Sequence, residues 1–425
     1  MSEHWISTTL GEYILFKNGK SSPSRDIAED IPVYGSNGII GFSSESNAEE
    51  DSLIIGRVGS YCGSVYHSKK KCWVTDNAII GLPKVKGESE FWYFLLTKLQ
   101  LNSYRSGSGQ PLVNQSTLNS IPVEIPKSPS VRQVIGKQLF SFENKIYLNN
   151  QINQTLESIA QAIFKSWFID FDPVRAKIVA KQEGKDSELA AMCAISGKSE
   201  AELKQMSEED FAELQATAAL FPDELVESEL GEVPKGWEVK PLDKIANYLN
   251  GLALQKFRPE NEYDFLPIVK IAQLKSGVAT IEEKASPNID RKFIIENGDV
   301  IFSWSGSLMV DIWCGGKAAL NQHLFKVTSN QYPKWLYYYY TKHHLAEFQR
   351  IAQAKAVTMG HIKREHLSQA LCCIASNELL EISNIFIGDF LQKLIELRLE
   401  NNNLKQLRDT LLPKLLSGEV EVENL

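Results

Sequence analysis

Cysteine, long apolar runs and catalytic loops are all scarce in this chain, and each scarcity excludes a class of protein. Six cysteines (Cys62, Cys72, Cys193, Cys314, Cys372, Cys373) among 425 residues form no CxxC pair and no disulfide-like framework. A reducing, cytoplasmic compartment is therefore expected. No stretch approaches ~18 consecutive apolar residues, so no membrane span is expected. The opening residues, "MSEHWISTTLGEY", lack the basic region and apolar run of a signal peptide.

Catalytic signatures are also missing. "SGKS" at 196–199 supplies the end of a phosphate-cradling loop, but Met192 stands where glycine is required. No GxGxxG lies between a strand and a helix, and no Asn-Pro-Pro-aromatic loop is present, so neither a dinucleotide nor a methyl-donor site has support. His361, His366, Cys372 and Cys373 lie close in sequence but match no zinc module. No cofactor and no metal are expected. One enzymatic alternative stays open: Pro222, Asp223, Glu238 and Lys240 can be arranged as a metal-dependent nuclease motif of a restriction component.

What is present is ordinary in amount and uneven in distribution. Hydrophobic residues make up 43% and charged residues 23%, enough for two or three soluble domains. The net charge of −8 is concentrated. Residues 184–235 hold 13 Asp or Glu against 4 Lys, a local −9, leaving +1 elsewhere. The helical character of "SEEDFAELQATAAL" in that stretch predicts a short helical hairpin or a partner surface.

The chain repeats itself. "NQTLESIAQAIFKSWF" (153–168) and "NNNLKQLRDTLLPKLL" (401–416) are amphipathic helices 248 positions apart. Leu139, Phe142, Ile146, Asn149, Asn153, Leu156, Ala160, Ile163 and Trp167 follow alternating steps of three and four. So do Ile387, Phe390, Leu394, Leu397, Asn401, Leu404, Arg408, Leu411 and Leu415. Such heptad spacing predicts a seam facing a partner helix, with Asn153 and Asn401 at equivalent register-setting positions. Ahead of the helices, "HWISTTLGEYILFKNG" (4–19) aligns with "GWEVKPLDKIANYLNG" (236–251), and "DSLIIGRVGS" (51–60) with "DVIFSWSGS" (299–307). "TDNAIIGLP" (75–83) aligns with "LNQHLFKVT" (320–328), and "TLNSIPVEIP" (117–126) with "HLSQALCCIA" (366–375). A globular block of strands and helices followed by a long helix occurs twice.

Polar loops with basic residues recur in both blocks. The first offers Arg57, Tyr61, Lys69, Lys70, Lys71 and Arg105. The second offers Lys256, Arg258, Ser305, Lys317, Lys355, Lys363 and Arg364. Side chains of these types contact phosphates or base edges, although any one alone is more often a solvated surface charge.

Three segments carry a family resemblance: "FKSWFIDFDPVRAK" (164–177), "GEVPKGWEV" (231–239) and "LKQLRDTLLPKLLSGEVEV" (404–422), with "GRVGSYCGSVY…CWVTDNA" (56–78) beside them. Over its full length the chain resembles the DNA-specificity subunits of type I restriction–modification enzymes. The resemblance implies an α+β fold with two similar target-recognition domains, joined by two long helices that pair as an antiparallel coiled coil with pseudo-two-fold symmetry. The implied division is recognition domain 1 at 1–130, a helical spacer at 131–170, an acidic linker at 171–235, recognition domain 2 at 236–377 and a second spacer at 378–425. It also implies a non-catalytic subunit that reads a split double-stranded DNA target and docks two modification (methyltransferase) subunits and the restriction (endonuclease/translocase) subunits. Asn153, Leu156, Ile163, Asn401, Leu404 and Leu411 would pair the helices. A helix over 131–168 would be ~57 Å long, against ~34–36 Å between half-sites one DNA turn apart.

Overall fold

A computed structural model of the chain describes residues 4–106, 111–354 and 360–420. It divides into two compact units, Met1–Leu148 with Asn403–Leu425, and Asn149–Asn402.

The first unit is built on an antiparallel sheet in the order Ile14–Asn18, Ala78–Pro83, Ser52–Gly56, Val65–Ser68. Alternate residues of the central strand face opposite sides. Leu53 and Ile55 enter a core with Leu10, Phe91, Trp92 and Leu139, while Ile54 enters another with Val74 and Ile80. Both faces are covered, which is why "SLII" reads as a continuous apolar run rather than an alternation. A second sheet holds Gly38–Ser43, Ile31–Gly35 and Trp73–Val74, the last pair parallel. Strand Trp5–Thr9 pairs with Pro122–Pro126.

The second unit repeats this plan. Its main sheet runs Asn247–Asn250, Leu324–Thr328, Val300–Ser303, Met309–Ile312. Val300 and Phe302 face one core and Ile301 the other. Strand Glu238–Pro241 pairs with Leu371–Ile374 as its counterpart does. Backbone bonds fix the repeat register. Thr75 N–H donates to Tyr34 C=O (2.9 Å) and Thr75 C=O accepts from Ala78 (3.0 Å). Asn321 N–H donates to Val269 C=O (3.1 Å) and Asn321 C=O accepts from Leu324 (3.0 Å). Thr75 therefore matches Asn321, one residue later than the letter alignment with Leu320 places it. Short motifs with different side chains leave a one-residue slip open, and only main-chain pairing closes it.

Each unit contains parts of two long helices. Pro129–Phe168 is continuous over 40 residues, ~60 Å at ~1.5 Å per residue. Asp389–Ser417 follows Asn377–Ser383 through a π-helical turn at Asn384–Gly388. In the first unit Arg408 bonds Glu143, while Leu411, Leu415 and Leu416 pack with Ile135 and Leu139. This is antiparallel contact. In the second, Asn149 Nδ2 donates to Asn401 Oδ1 (2.9 Å), and Asn401 Nδ2 donates to Asn150 Oδ1 (2.9 Å). Asn401 thus faces Asn149 and Asn150. Continuing that antiparallel register sets Asn153 against Leu397, and the Asn153 Oδ1 is indeed buried without a hydrogen bond among the described residues. Ile163 packs on the second unit's core; Leu156 and Leu404 are half-buried.

The acidic stretch forms helices Asp172–Gln182, Ser187–Ser196, Glu200–Leu203 and Glu208–Ala219, then a hairpin of Leu225–Ser228 with Gly231–Pro234. It is a small cluster around Ala191, Met192, Leu203 and Ala218 rather than one helical hairpin. Buried Lys177 ties it together, donating to Glu188 (2.8 Å) and to Phe221 C=O (2.8 Å). Much of the acidity sits at helix starts: Glu188, Glu200, Glu202, Glu208, Glu209 and Asp210 occupy first turns. Negative charge there offsets the positive end of the helix dipole.

Candidate nucleic-acid interface

In both units three segments meet at the end of the central strand. In the first they are the strand exit at Gly56–Gly59, the bend Thr75–Asn77 and the segment 111–113. Arg57 N–H donates to Asn77 C=O (2.9 Å), Val113 N–H to Arg57 C=O (3.0 Å), and Gly59 N–H to Pro111 C=O (3.2 Å). In the second they are the exit at Ser303–Gly306, the bend Asn321–His323 and the segment 360–362. Ile362 N–H donates to Trp304 C=O (3.0 Å) and Gly306 N–H to Gly360 C=O (2.9 Å). Isolated bridges Val58–Leu112 and Ser305–His361 lie at the same place. A further strand end closes each junction through glycine. A Cβ on Gly19 would lie 2.0 Å from Thr75 O, and one on Gly251 2.3 Å from Asn321 O. No side chain fits there.

The side chains on this common backbone differ. Arg57 Nη1 donates to Asp76 C=O at 3.3 Å, and its Nε is buried without a partner among the described residues. Ser36 Oγ donates to Asn77 C=O (2.6 Å), while the Asn77 residue itself is exposed. In the second unit Trp304 Nε1–H donates to Asn250 Oδ1 (2.9 Å), and its ring lies 5.9 Å from His323 and 6.2 Å from His361. His323 Nδ1 is 3.1 Å from Ser305 Oγ, and its Nε2 is 3.4 Å from Gln322 Nε2. Arg258, Lys270, Asn321, Gln322 and His323 line an open cavity of about 440 Å³ with Leu254, Ile268 and Ile271 on its walls.

The structure brings Arg57, Ser305 and Arg258 to these junctions or their margins. Tyr61 follows the first strand exit and is 48% exposed; Arg105 is exposed shortly before the third segment. Lys363 and Arg364 directly follow segment 360–362 of the second junction. Lys69 sits 4.0 Å over the Phe140 ring and 3.7 Å from Glu90. Lys71 pairs with Glu49 (3.3 Å), and Lys70 between them is exposed. Lys256 and Lys317 are exposed. Lys363 pairs with Glu365 (3.5 Å). Arg364 is exposed, donating to Tyr248 C=O (3.1 Å) with its guanidinium 5.4 Å from the Phe325 ring. Lys355 lies outside the described residues. Sequence reasoning missed Asn77, Trp304 and His323. The signal was available in the repeat: a polar residue just before a buried strand in both "TDNA" and "NQHL", exposed at Asn77 and half-buried at His323.

The nuclease alternative does not assemble. Asp223 Oδ2 accepts from Lys181 (2.8 Å), which holds its carboxyl below the usual range, while Lys240 bonds both Glu238 and the Tyr332 hydroxyl. Among the described residues no three His, Cys, Asp or Glu side chains gather as a metal site would require, and no helix is long and apolar enough to cross a membrane.

Comparison with known proteins agrees with the geometry. The model of the type I restriction modification DNA specificity domain matches twice, at residues 2–158 and 234–408. The chain is 30% identical to the type I restriction enzyme HindI specificity subunit of Haemophilus influenzae, over 83% of this chain and 81% of that one. It is 27% identical to the MjaIX specificity subunit of Methanocaldococcus jannaschii, over 81% and 72%. The fold superposes on the crystal structure of the type I S subunit from M. genitalium with a TM-score of 0.60 at 13% identity, covering 98% of this chain and 97% of that one. With two copies of that specificity domain, each carrying the same loop junction, the chain belongs to the type I restriction–modification DNA-specificity family.

Proposed function

We propose that the chain is the sequence-reading, non-catalytic subunit of a type I restriction–modification complex. Each unit reads one half of a split duplex target, and the chain docks two modification subunits and the restriction subunits. The observation that supports this best is the pair of junctions. The same backbone frame occurs twice with different side chains on it, as two readers of different half-sites require. Chemistry on DNA then belongs to the partners, and the reader's work is selective binding. The +1 balance outside the acidic stretch leaves little phosphate attraction, the main source of non-specific affinity. The chain alone should therefore bind DNA weakly and gain affinity in the complex.

Exchanging residues 1–130 for the same region of another specificity protein tests the reading. Methylation sequencing of cells carrying the hybrid and its modification subunits should show one half of the bipartite motif changed and the other retained. A motif changed in both halves, or in neither, refutes the two-reader proposal.

A further inference from the structure

We infer that Arg57 and Asn77 in the first unit, and Trp304 and His323 in the second, are the specificity-determining side chains, presented to base edges by one shared backbone frame. The inference rests on the DNA-reading function proposed above and names where within each unit the reading is done.

The frame is held by main-chain hydrogen bonds and by glycine contacts, so it places few demands on the side chains it carries. Where the frame does depend on residue type, both copies keep it, as Gly19 and Gly251 do. Where it does not, the copies diverge in size and hydrogen-bonding character: Arg57 against Trp304, and Asn77 against His323. Positions that vary on a fixed backbone are where two readers of different sequences must differ.

The chemistry of each position fits. Arg57 is held by a single long bond, 3.3 Å to Asp76 C=O, and its Nε has no partner among the described residues. A buried donor left unbonded is costly, and the Arg fork matches the paired O6 and N7 acceptors of guanine in the major groove. Arg57 is therefore poised for a guanine. Asn77, exposed beside it, carries the amide that pairs with adenine N6 and N7. In the second unit the Trp304 N–H is already taken by Asn250. Its ring can offer only apolar contact, which suits a thymine methyl, while His323 beside it, with Nδ1 held by Ser305 Oγ, offers Nε2, whose contact with Gln322 is a long 3.4 Å. The second half-site should show no dependence on an arginine–guanine pair.

The test uses the full chain assembled with its modification subunits. Methylation sequencing gives the wild-type motif, and competition binding with duplexes carrying one base-pair change each gives discrimination at every position. Arg57→Ala and Arg57→Lys should both lose about 5- to 150-fold discrimination at one G·C pair of one half-site, with the other half-site unchanged. His323→Gln and Trp304→Phe should alter preference only in the other half. An unchanged profile in both halves overturns the inference. So does a uniform weakening across all duplexes, which is the behaviour of a phosphate contact. Arg57→Lys keeps the charge and most of the length, so it decides the first unit even where the alanine variant fails to assemble; His323→Gln does the same for the second. A wild-type complex with no bipartite preference would instead refute the underlying reading.

Discussion

Arg132 and Glu88 give a sharp test of how the first unit is fastened to its long helix. Arg132, 1% exposed, is four residues into Pro129–Phe168, and Glu88, fully buried, immediately precedes helix Ser89–Lys98. Arg132 Nε and Nη2 donate to Glu88 Oε1 (3.0 and 2.7 Å), and Nη1 donates to the carbonyls of Pro126 (2.5 Å) and Lys127 (3.0 Å). Trp92 Nε1–H donates to the other carboxylate oxygen (3.0 Å). Replacing Arg132 by Met preserves volume but strands a buried carboxylate. Breaking a buried pair from one side costs about 3–5 kcal/mol, or roughly 150- to 4,000-fold in the local opening equilibrium. Hydrogen exchange of amides in Ser89–Lys98, measured on the full chain by mass spectrometry, reads that opening directly. Adding Glu88→Gln should recover at least ~1–2 kcal/mol, because a neutral amide is cheaper to leave buried and still accepts from Trp92. Less than ~1 kcal/mol lost in Arg132→Met, or no recovery in the double variant, would refute this account.

The seam and the pH response offer further tests. Asn401→Leu should cost about 0.5–1.5 kcal/mol, since it removes one of two bonds of the buried Asn149 amide, which keeps Glu400 Oε2 (2.7 Å), and the cost should not add to that of Asn149→Leu in the double variant; a thermal-unfolding double-mutant cycle measures both. Inserting one heptad after Asn153 and another after Asn401 adds ~10 Å of helix to each, about three base pairs, and should lengthen the gap between half-sites without changing them. An active double insertion with an unchanged gap, seen by methylation sequencing, would show that the helices do not set it. Burial, with His343 beside it, lowers the His344 imidazole pKa to about 4. The unfolded chain, near the ordinary value, then binds more protons between ~6.5 and ~4, so the second unit loses stability as pH falls through that window, by roughly 2–3 kcal/mol. His344→Gln should flatten this slope in urea unfolding followed across pH; an unaltered slope would assign it to other groups.

The duplication and the long helices were legible because both rest on period and order. Heptad spacing and the acidic turn–strand–loop pattern survive divergence of individual letters. Partner assignment was not legible. Asn153 and Asn401 are equivalent in the repeat, yet antiparallel packing sets Asn401 against Asn149 and Asn150, because symmetry relates equivalent positions without requiring them to touch. The surroundings of the basic residues were not legible for a different reason. A charge says nothing about its neighbours, so Lys69 over Phe140 and Arg364 over Phe325 read like free lysine and arginine until the rings beside them are known. Asn77 and His323 were hidden by the one-residue slip, since only the backbone register shows that the polar residues ahead of the two strands correspond.

The first unit's core contains Leu415 and Leu416 alongside Leu10, Ile14 and Leu53. In time this means the unit begun first is completed late. A ribosome adding ~5–20 residues per second takes roughly 13–53 s to pass from residue 148 to residue 411. Residues 149–402 form the other unit within that interval. During it the strands and helices of the N-terminal block wait with one apolar face unfinished. Variants that weaken the C-terminal helix should consequently show themselves first in the newborn chain, as chaperone retention or aggregation during synthesis.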